Sequence, residues 1–260
     1  MTAVTFVQMV RAELLRIRRC RGVIAIAAFF TIGVTVLLFG ISEIQHLADP
    51  GRYGPAGGIT DFNRATVILS IFFGALSAIL VGTEAGTSDV SSGVFRDVVV
   101  TGRERLWLFA VRVPAALIVT TAMCLTALGV ALAAAYGFGG GLPTPTANYA
   151  IDSVLWVCAA EALLCVIAVG LGSLTGSRGA SLTALIGWQV IAGRLLPMIT
   201  FLGSARDAIP NIALGALKPG ASLPDTNGVT MSAGLAVVVL ALWLVGWVTA
   251  GAWRTRTRDA

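Results

Sequence analysis

Charge is scarce in this chain, and lysine and histidine are scarcer still. Only 12% of the 260 residues are charged against 57% hydrophobic, too little polar surface for a water-soluble globule of this size. Lys218 is the only lysine and Pro219 follows it, which excludes the phosphate-cradling G-x-x-x-x-G-K-[ST] loop of an ATP-hydrolysing chain. His46 is the only histidine, which excludes H-E-x-x-H zinc chemistry and any multi-histidine metal site. It also leaves Gly179-Ala180-Ser181, a faint match to an intramembrane serine nucleophile, without a base. His46 and Ser181 belong to opposite ends of the apolar stretches, far beyond hydrogen-bond reach. Ser181 or Ser177 is read instead as a helix N-cap. Of the four cysteines, Cys124, Cys158 and Cys165 fall inside apolar stretches and Cys20 precedes the first. No disulfide framework follows from that placement, and small buried hydrophobes are the expected role. No catalytic constellation, cofactor or metal is expected, and the chain is not read as an enzyme.

What is present is length of apolar sequence. Six stretches, at 22–41, 64–84, 107–137, 150–174, 181–203 and 231–253, each reach the roughly 20 residues that a helix needs to cross a bilayer core. Mean hydropathy is +0.87. Backbone groups in lipid must be satisfied within the segment, so these runs must be helices. The expected fold is an all-α integral membrane protein with six spans. The +5 net charge and pI near 9.5 follow membrane topology. Thirteen of the 18 basic residues (Arg11, Arg16, Arg18, Arg19, Arg21, Arg96, Arg103, Arg105, Arg112, Arg178, Arg254, Arg256, Arg258) fall on one side if the spans alternate. The positive-inside rule then puts both termini in the cytoplasm, with anionic lipid headgroups and not nucleic acid as the partner of this charge. The first apolar stretch lacks a small-residue cleavage site and is expected to be a retained helix.

Between the spans the chain divides simply, as one transmembrane domain over 1–260. Residues 1–21 hold an amphipathic helix over 4–19, with Phe6, Val7, Val10, Leu14 and Ile17 recurring at helical spacing. Such a helix lies in the membrane interface. Residues 42–63 form an external Gly/Pro-rich loop, and Thr60 or Asp61 is the expected N-cap of the second span. Residues 85–106 are the longest cytoplasmic connection, whereas the link around Thr175–Ala180 is short enough to make spans four and five antiparallel neighbours. Residues 204–230 are external yet partly apolar, which suggests a short helix dipping into the outer leaflet.

The segment after span two carries the most specific pattern. Glu84 closes the span and a polar turn follows. Gly93-Val94-Phe95-Arg96-Asp97 opens a short amphipathic element, Thr101-Gly102 breaks the chain, and Arg103, Arg105 and Arg112 lead into span three. In these residues the chain resembles the permease subunits of ABC-2 type transporters, especially actinobacterial members. In that family an acidic residue, a Gly-Thr/Val-Phe/Ile-Arg element, a turn, an Arg and a basic residue opening span three recur in this order. Six spans and an interfacial N-terminal helix extend the resemblance over the full chain; the stretch between Glu84 and Gly93 is longer than in many relatives. The resemblance implies a multi-pass plasma-membrane exporter subunit driven by a separately encoded ATPase present in two copies, with a second permease copy or homologue completing the substrate path. It assigns Glu84, Gly93, Phe95, Arg96, Asp97, Gly102, Arg103 and Arg105 to an ATPase-coupling element. The competing readings are a non-transporting membrane anchor or assembly subunit, and a membrane-embedded transferase.

Two charges fall inside spans, Glu161 in the fourth and Arg194 in the fifth. A charge near the bilayer centre faces the bundle and pairs. The two are therefore expected either to form an ion pair that fixes helix packing or to line the substrate path. Gly82/Gly86 and Gly172/Gly176 have the small-xxx-small spacing that permits close helix approach. Trp107, Trp156 and Trp253 are placed as interfacial anchors, and Trp188, Trp243 and Trp247 as deeper packing residues.

Overall fold

The computed structural model describes residues 3–91, 105–220 and 231–257, and every element among them is helical. An interfacial helix α1 (Ala3–Arg19) is followed by α2 (Arg21–Ala48), α3 (Gly58–Asp89), α4 (Arg105–Gly137), α5 (Ala147–Thr175) and α6 (Arg178–Met198). A short α7 (Pro210–Ala216) and a last long helix, α8 (Ala233–Thr257), complete the chain. The six long helices are each long and apolar enough to span a membrane. The protein is an all-α, multi-pass membrane protein.

The helices are not equivalent. In α5, 67% of the apolar stretch is buried, and in α3 61%, whereas α8 buries only 11%. The two buried helices form the axis of the bundle and the others ring it, with residues such as Val36, Leu37, Val238 and Leu242 left facing outward. The axis exists because glycine lets the backbones meet. A Cβ at Gly82 would lie 2.5 Å from the Cys165 carbonyl, and one at Gly86 would lie 2.6 Å from that of Val169. The Gly82/Gly86 pair is thus a true close-approach site. Gly172 faces Gly86 across the same seam, but Gly176 does different work. Its φ of 67° ends α5 in a left-handed cap, with its N–H donating to the Gly172 carbonyl.

Both ends of the bundle are pinned, one by backbone contacts and the other by side chains. At one end the Gly57–Gly58 turn abuts Phe138–Gly139, and Ile59 N donates to Pro143 O at 2.7 Å. That contact starts α3 at Gly58, ahead of Thr60 and Asp61, so neither of these is the N-cap; Asp61 sits in the first turn. Ser177 does cap α6, accepting from Ala180 N, while Ser181 bonds back to Ser177 O. At the other end lie α1, the starts of α2, α4 and α6, and the last turns of α3, α5 and α8. Phe6 meets Trp107 edge-on at 6.0 Å, Gly251 packs on Phe109, and Arg105 donates to Arg256 O. Both described termini are therefore on the arginine-rich end.

After α6 the chain turns back into the bundle. Pro197 ends the helix, and Thr200–Ala208 continues as two short 3-10 turns on either side of a kink at Gly203, whose φ is 51°. Trp156 Nε1 donates to Leu214 O at 2.7 Å, and Trp243 Nε1 donates to Ala208 O at 2.9 Å. Trp156 lies nine residues inside α5, or about 13 Å from its start at 1.5 Å per residue. The described part of that segment packs back on α5 and α8 through these indole N–H groups, and residues 221–230 lie outside the described residues. Trp156 is accordingly not an interfacial anchor: it is buried and serves the re-entrant backbone. Trp253, 63% exposed, fits the anchor role.

Three spans carry a single wide π turn: Phe29–Gly33 in α2, Leu69–Phe73 in α3 and Trp188–Ala192 in α6. The turn in α3 touches both of the others, so the three form a belt across the middle of the bundle. Phe30 of α2 lies 5.9 Å from Phe73 of α3. Gln189 Nε2 of α6 donates to the Ile71 carbonyl at 2.8 Å. Such turns free backbone groups and recur at functional sites.

Candidate functional site

Charge in this protein gathers at two depths. The first is the arginine-rich end, where α3 finishes and α4 starts. The apolar stripe of α1 places Val10 and Ile17 against the bundle, but Val7 is 50% exposed and Glu13 shares the buried face. At 100° per residue Glu13 falls within 40° of Phe6 and Ile17, so the helical period alone could have located it. Arg16 pairs with Glu13 within α1 and with Asp89 Oδ1 at the end of α3. Asp89 Oδ2 accepts from Arg112 Nη2 at 2.6 Å. Arg112 is only 1% exposed and also donates to Ser173 Oγ at 3.4 Å and Gly86 O at 3.5 Å. One guanidinium therefore joins α3, α4 and α5, and one carboxylate joins it to α1. Beside it, Glu84 Oε2 pairs with Arg178 of α6 at 3.0 Å, and Glu84 Oε1 accepts from Cys20 Sγ at 3.4 Å.

Burial raises the Glu13 carboxyl above the usual carboxylate range, against the lowering pull of Arg16 and Arg112. Burial likewise lowers Arg16 from its usual range, with Glu13 opposing. Cys20 is raised, first by burial and then by its hydrogen bond to Glu84.

Of the residues expected to couple to an ATPase, Glu84 and Arg105 are brought to this end, tied respectively to α6 and to the end of α8. Gly93, Phe95, Arg96, Asp97, Gly102 and Arg103 lie outside the described residues. The sequence reading missed Glu13, Asp89 and Ser173. Asp89 reads as one polar residue among many in a loop until α3 is seen to continue past Glu84.

The second depth is the middle of the bundle, around the midpoints of α3 and α5, and here the structure corrects an expectation. Glu161 and Arg194 do not pair. Glu161 is buried against Gly74, directly after the α3 π turn, so closely that a Cβ there would overlap it, and among the described residues neither of its oxygens lies within hydrogen-bond geometry of a partner. Nearby, Cys124 and Cys158 place their sulfurs 3.7 Å apart. Arg194 instead lies exposed with its guanidinium carbon 4.0 Å from the Phe72 ring centroid. Two causes separate them. At this depth α6 leans on α3 through Gln189 and Ile71. The π turn at Trp188–Ala192 also adds a residue to the turn, which rotates the remainder of α6, Arg194 included, by about 100° around the helix axis. Inserting an arginine at mid-membrane costs about 3 kcal/mol on translocation scales. Stacking on one ring offsets about 1–2 kcal/mol of that.

No protein-family model matches the chain, and no curated protein matches it.

Proposed function

We propose that this protein is the transmembrane permease subunit of an ATP-binding-cassette exporter of the ABC-2 type, driven by a separately encoded ATPase. The observation that carries the reading is the Glu13–Arg16–Asp89–Arg112 network. It lies at the root of the 92–104 segment, whose Gly93-Val94-Phe95-Arg96 and Thr101-Gly102-Arg103 resemble the family's coupling element. A coupling element works only if a push on it reaches the spans. Here the residues on either side of the segment are fastened to α1, α3, α4, α5 and α6 by ion pairs and hydrogen bonds centred on the buried Arg112, so displacement of the segment loads the bundle axis directly. In this reading the basic end is cytoplasmic, the membrane is the bacterial plasma membrane, and a second permease copy or homologue completes the path while two ATPase copies dock below. Phe95 with Arg96 and Arg103 supplies the aromatic and arginine chemistry that dominates protein interfaces.

The test is co-purification with the ATPase at matched permease levels. Phe95→Ala and Arg96→Glu are expected to leave the permease inserted and folded, to weaken ATPase capture, and to return permease-stimulated ATP hydrolysis toward the isolated ATPase rate. Full capture and unchanged stimulation for both variants would reject this reading.

A further inference from the structure

We infer that the mid-membrane face built by α2, α3 and α6 binds an amphipathic anion, with Arg194 as its counter-charge and the phenylalanines beside it as the seat for its apolar body. If the protein is the permease proposed above, this is the chemical class of its cargo. The binding itself does not depend on that reading.

Arg194 stands four residues before the Met198 end of α6 and is exposed, yet its guanidinium reaches back to Phe72, near the middle of α3. Its depth is fixed by its contact. Phe72 lies 14 residues after Gly58 and 17 before Asp89, about 21 Å and 25 Å from the two helix ends. No carboxylate comes within ion-pair distance of Arg194 among the described residues. The acid expected to meet it, Glu161, is committed to the far side of α3 against Gly74. Glu161 is also the only described acid near the midpoint of a span, and it is buried, so a second copy of this chain offers no exposed carboxylate at the matching depth. A guanidinium left this way in a low-dielectric layer calls for an anion from outside the chain, and its planar fork suits a phosphate, sulfate or carboxylate head.

The neighbouring surface supplies the other half. Phe72 and Phe73 lie 6.0 Å apart, Phe73 and Phe30 5.9 Å, and Phe30 and Phe29 6.0 Å, with Phe29 54% exposed. The rings form a strip from α3 to α2 that ends at the Arg194 guanidinium. Two of the three π turns contribute it: Phe29 and Phe30 belong to the wide turn of α2, and Phe72 and Phe73 to that of α3. A flat or chain-like apolar body covers such a strip while its acidic head reaches the arginine. A cationic amphiphile of the same size meets the same rings and is repelled at that end.

The experiment uses the full-length protein in nanodiscs of phosphatidylcholine, with no ATPase present. A pyrene-tagged dodecyl phosphate is titrated beside the trimethylammonium and alcohol analogues of equal length, and tryptophan-to-pyrene energy transfer is read above the empty-disc partition background. The phosphate is expected to bind at least tenfold more tightly than either analogue. Arg194→Gln should remove that preference and Arg194→Lys should keep part of it, because the charge stays while the fork is lost. Phe72→Leu should weaken the phosphate and the alcohol alike. Repeating the titration with 30 mol% phosphatidylglycerol separates the two sources of such a ligand. Competition assigns the site to membrane anionic lipid, and undiminished binding assigns it to a free amphiphile; either retains the anion. Equal affinity for the three headgroups in the wild-type protein overturns the inference, and so does a phosphate preference that survives Arg194→Gln. Should Arg194→Gln fail to fold, the headgroup comparison in the wild type and in Arg194→Lys decides. Because no ATPase takes part, failure here leaves the coupling experiment untouched, and failure there leaves this one intact.

Discussion

The arginine-rich end and the middle of the bundle solve the same electrostatic problem in opposite ways. At the end, every described member of the cluster has a partner of opposite charge: Arg16 between Glu13 and Asp89, Asp89 between Arg16 and Arg112, Glu84 against Arg178. In the middle, Glu161 and Arg194 are both present and yet stay apart, one sealed against a glycine and the other open on a phenylalanine. Buried ion pairs seldom add much net stability, but stranding one member is costly. The paired end therefore reads as structural register, holding five helices in one arrangement. Leaving mid-membrane groups unpaired sacrifices stability that the fold alone does not require, which is the pattern of residues kept for a ligand or for motion.

The largest expected effect tests the paired end. Arg112→Gln takes one arginine partner from Asp89 and leaves the α3–α4–α5 junction without its donor; removing one member of a buried pair costs about 3–5 kcal/mol. Thermal unfolding in detergent should show that loss. The Arg112→Gln, Asp89→Asn double variant should be less stable than wild type by clearly less than the sum of the two single losses. Strict additivity would mean that this cluster is no more coupled than the middle.

Next in size is the seam beneath both clusters. Gly86→Leu forces a side chain into the Val169 carbonyl and the Gly172 backbone, an overpacking cost of about 1–3 kcal/mol or more. It should lower the unfolding temperature more than Gly129→Leu on α4, where a Cβ meets nothing within 4 Å. Equal shifts would show that α3 and α5 do not meet backbone to backbone at this seam.

The middle predicts the reverse of the end. Glu161→Gln and Arg194→Gln touch groups that share no contact, so their stability effects should add to within about 0.5 kcal/mol. A double variant milder than the sum would restore the ion pair that the structure separates.

The smallest effect is a pH slope. Glu13 is raised above its usual range by burial, so the folded protein holds this proton more tightly than the unfolded chain does. Its contribution to stability is present in full below the ordinary glutamate range and is lost as pH rises through the raised value. Glu13→Gln should flatten that part of the stability–pH curve between mildly acid and neutral pH. An unchanged slope would assign it to another group.

Legibility in the sequence differs between the two regions. The spans are legible, because a bilayer demands about 20 apolar residues and admits only helices; their existence and number follow from hydropathy alone. The actual helices run past the apolar stretches, as α3 does from Gly58 to Asp89, because helix ends are set by caps and neighbouring backbone and not by hydropathy. The end cluster is half legible: Arg112 and Glu84 stand out, whereas Glu13 is contained in the helical period of α1 but hidden there among apolar neighbours. The Glu161–Arg194 pairing fails because it assumes regular helices. A single π turn in α6 moves everything beyond it around the axis, and no residue type announces such a turn.

Composition and periodicity by themselves determined an all-α chain of six apolar helices with its basic residues massed at one end, since those properties depend only on transfer free energy and the 3.6-residue repeat. Tertiary structure alone decided which charges meet. Partnering depends on helix rotation to within one residue, on glycine seams that choose the neighbours, and on wide turns that reset the register, and each of these is settled by contacts between segments distant in the chain.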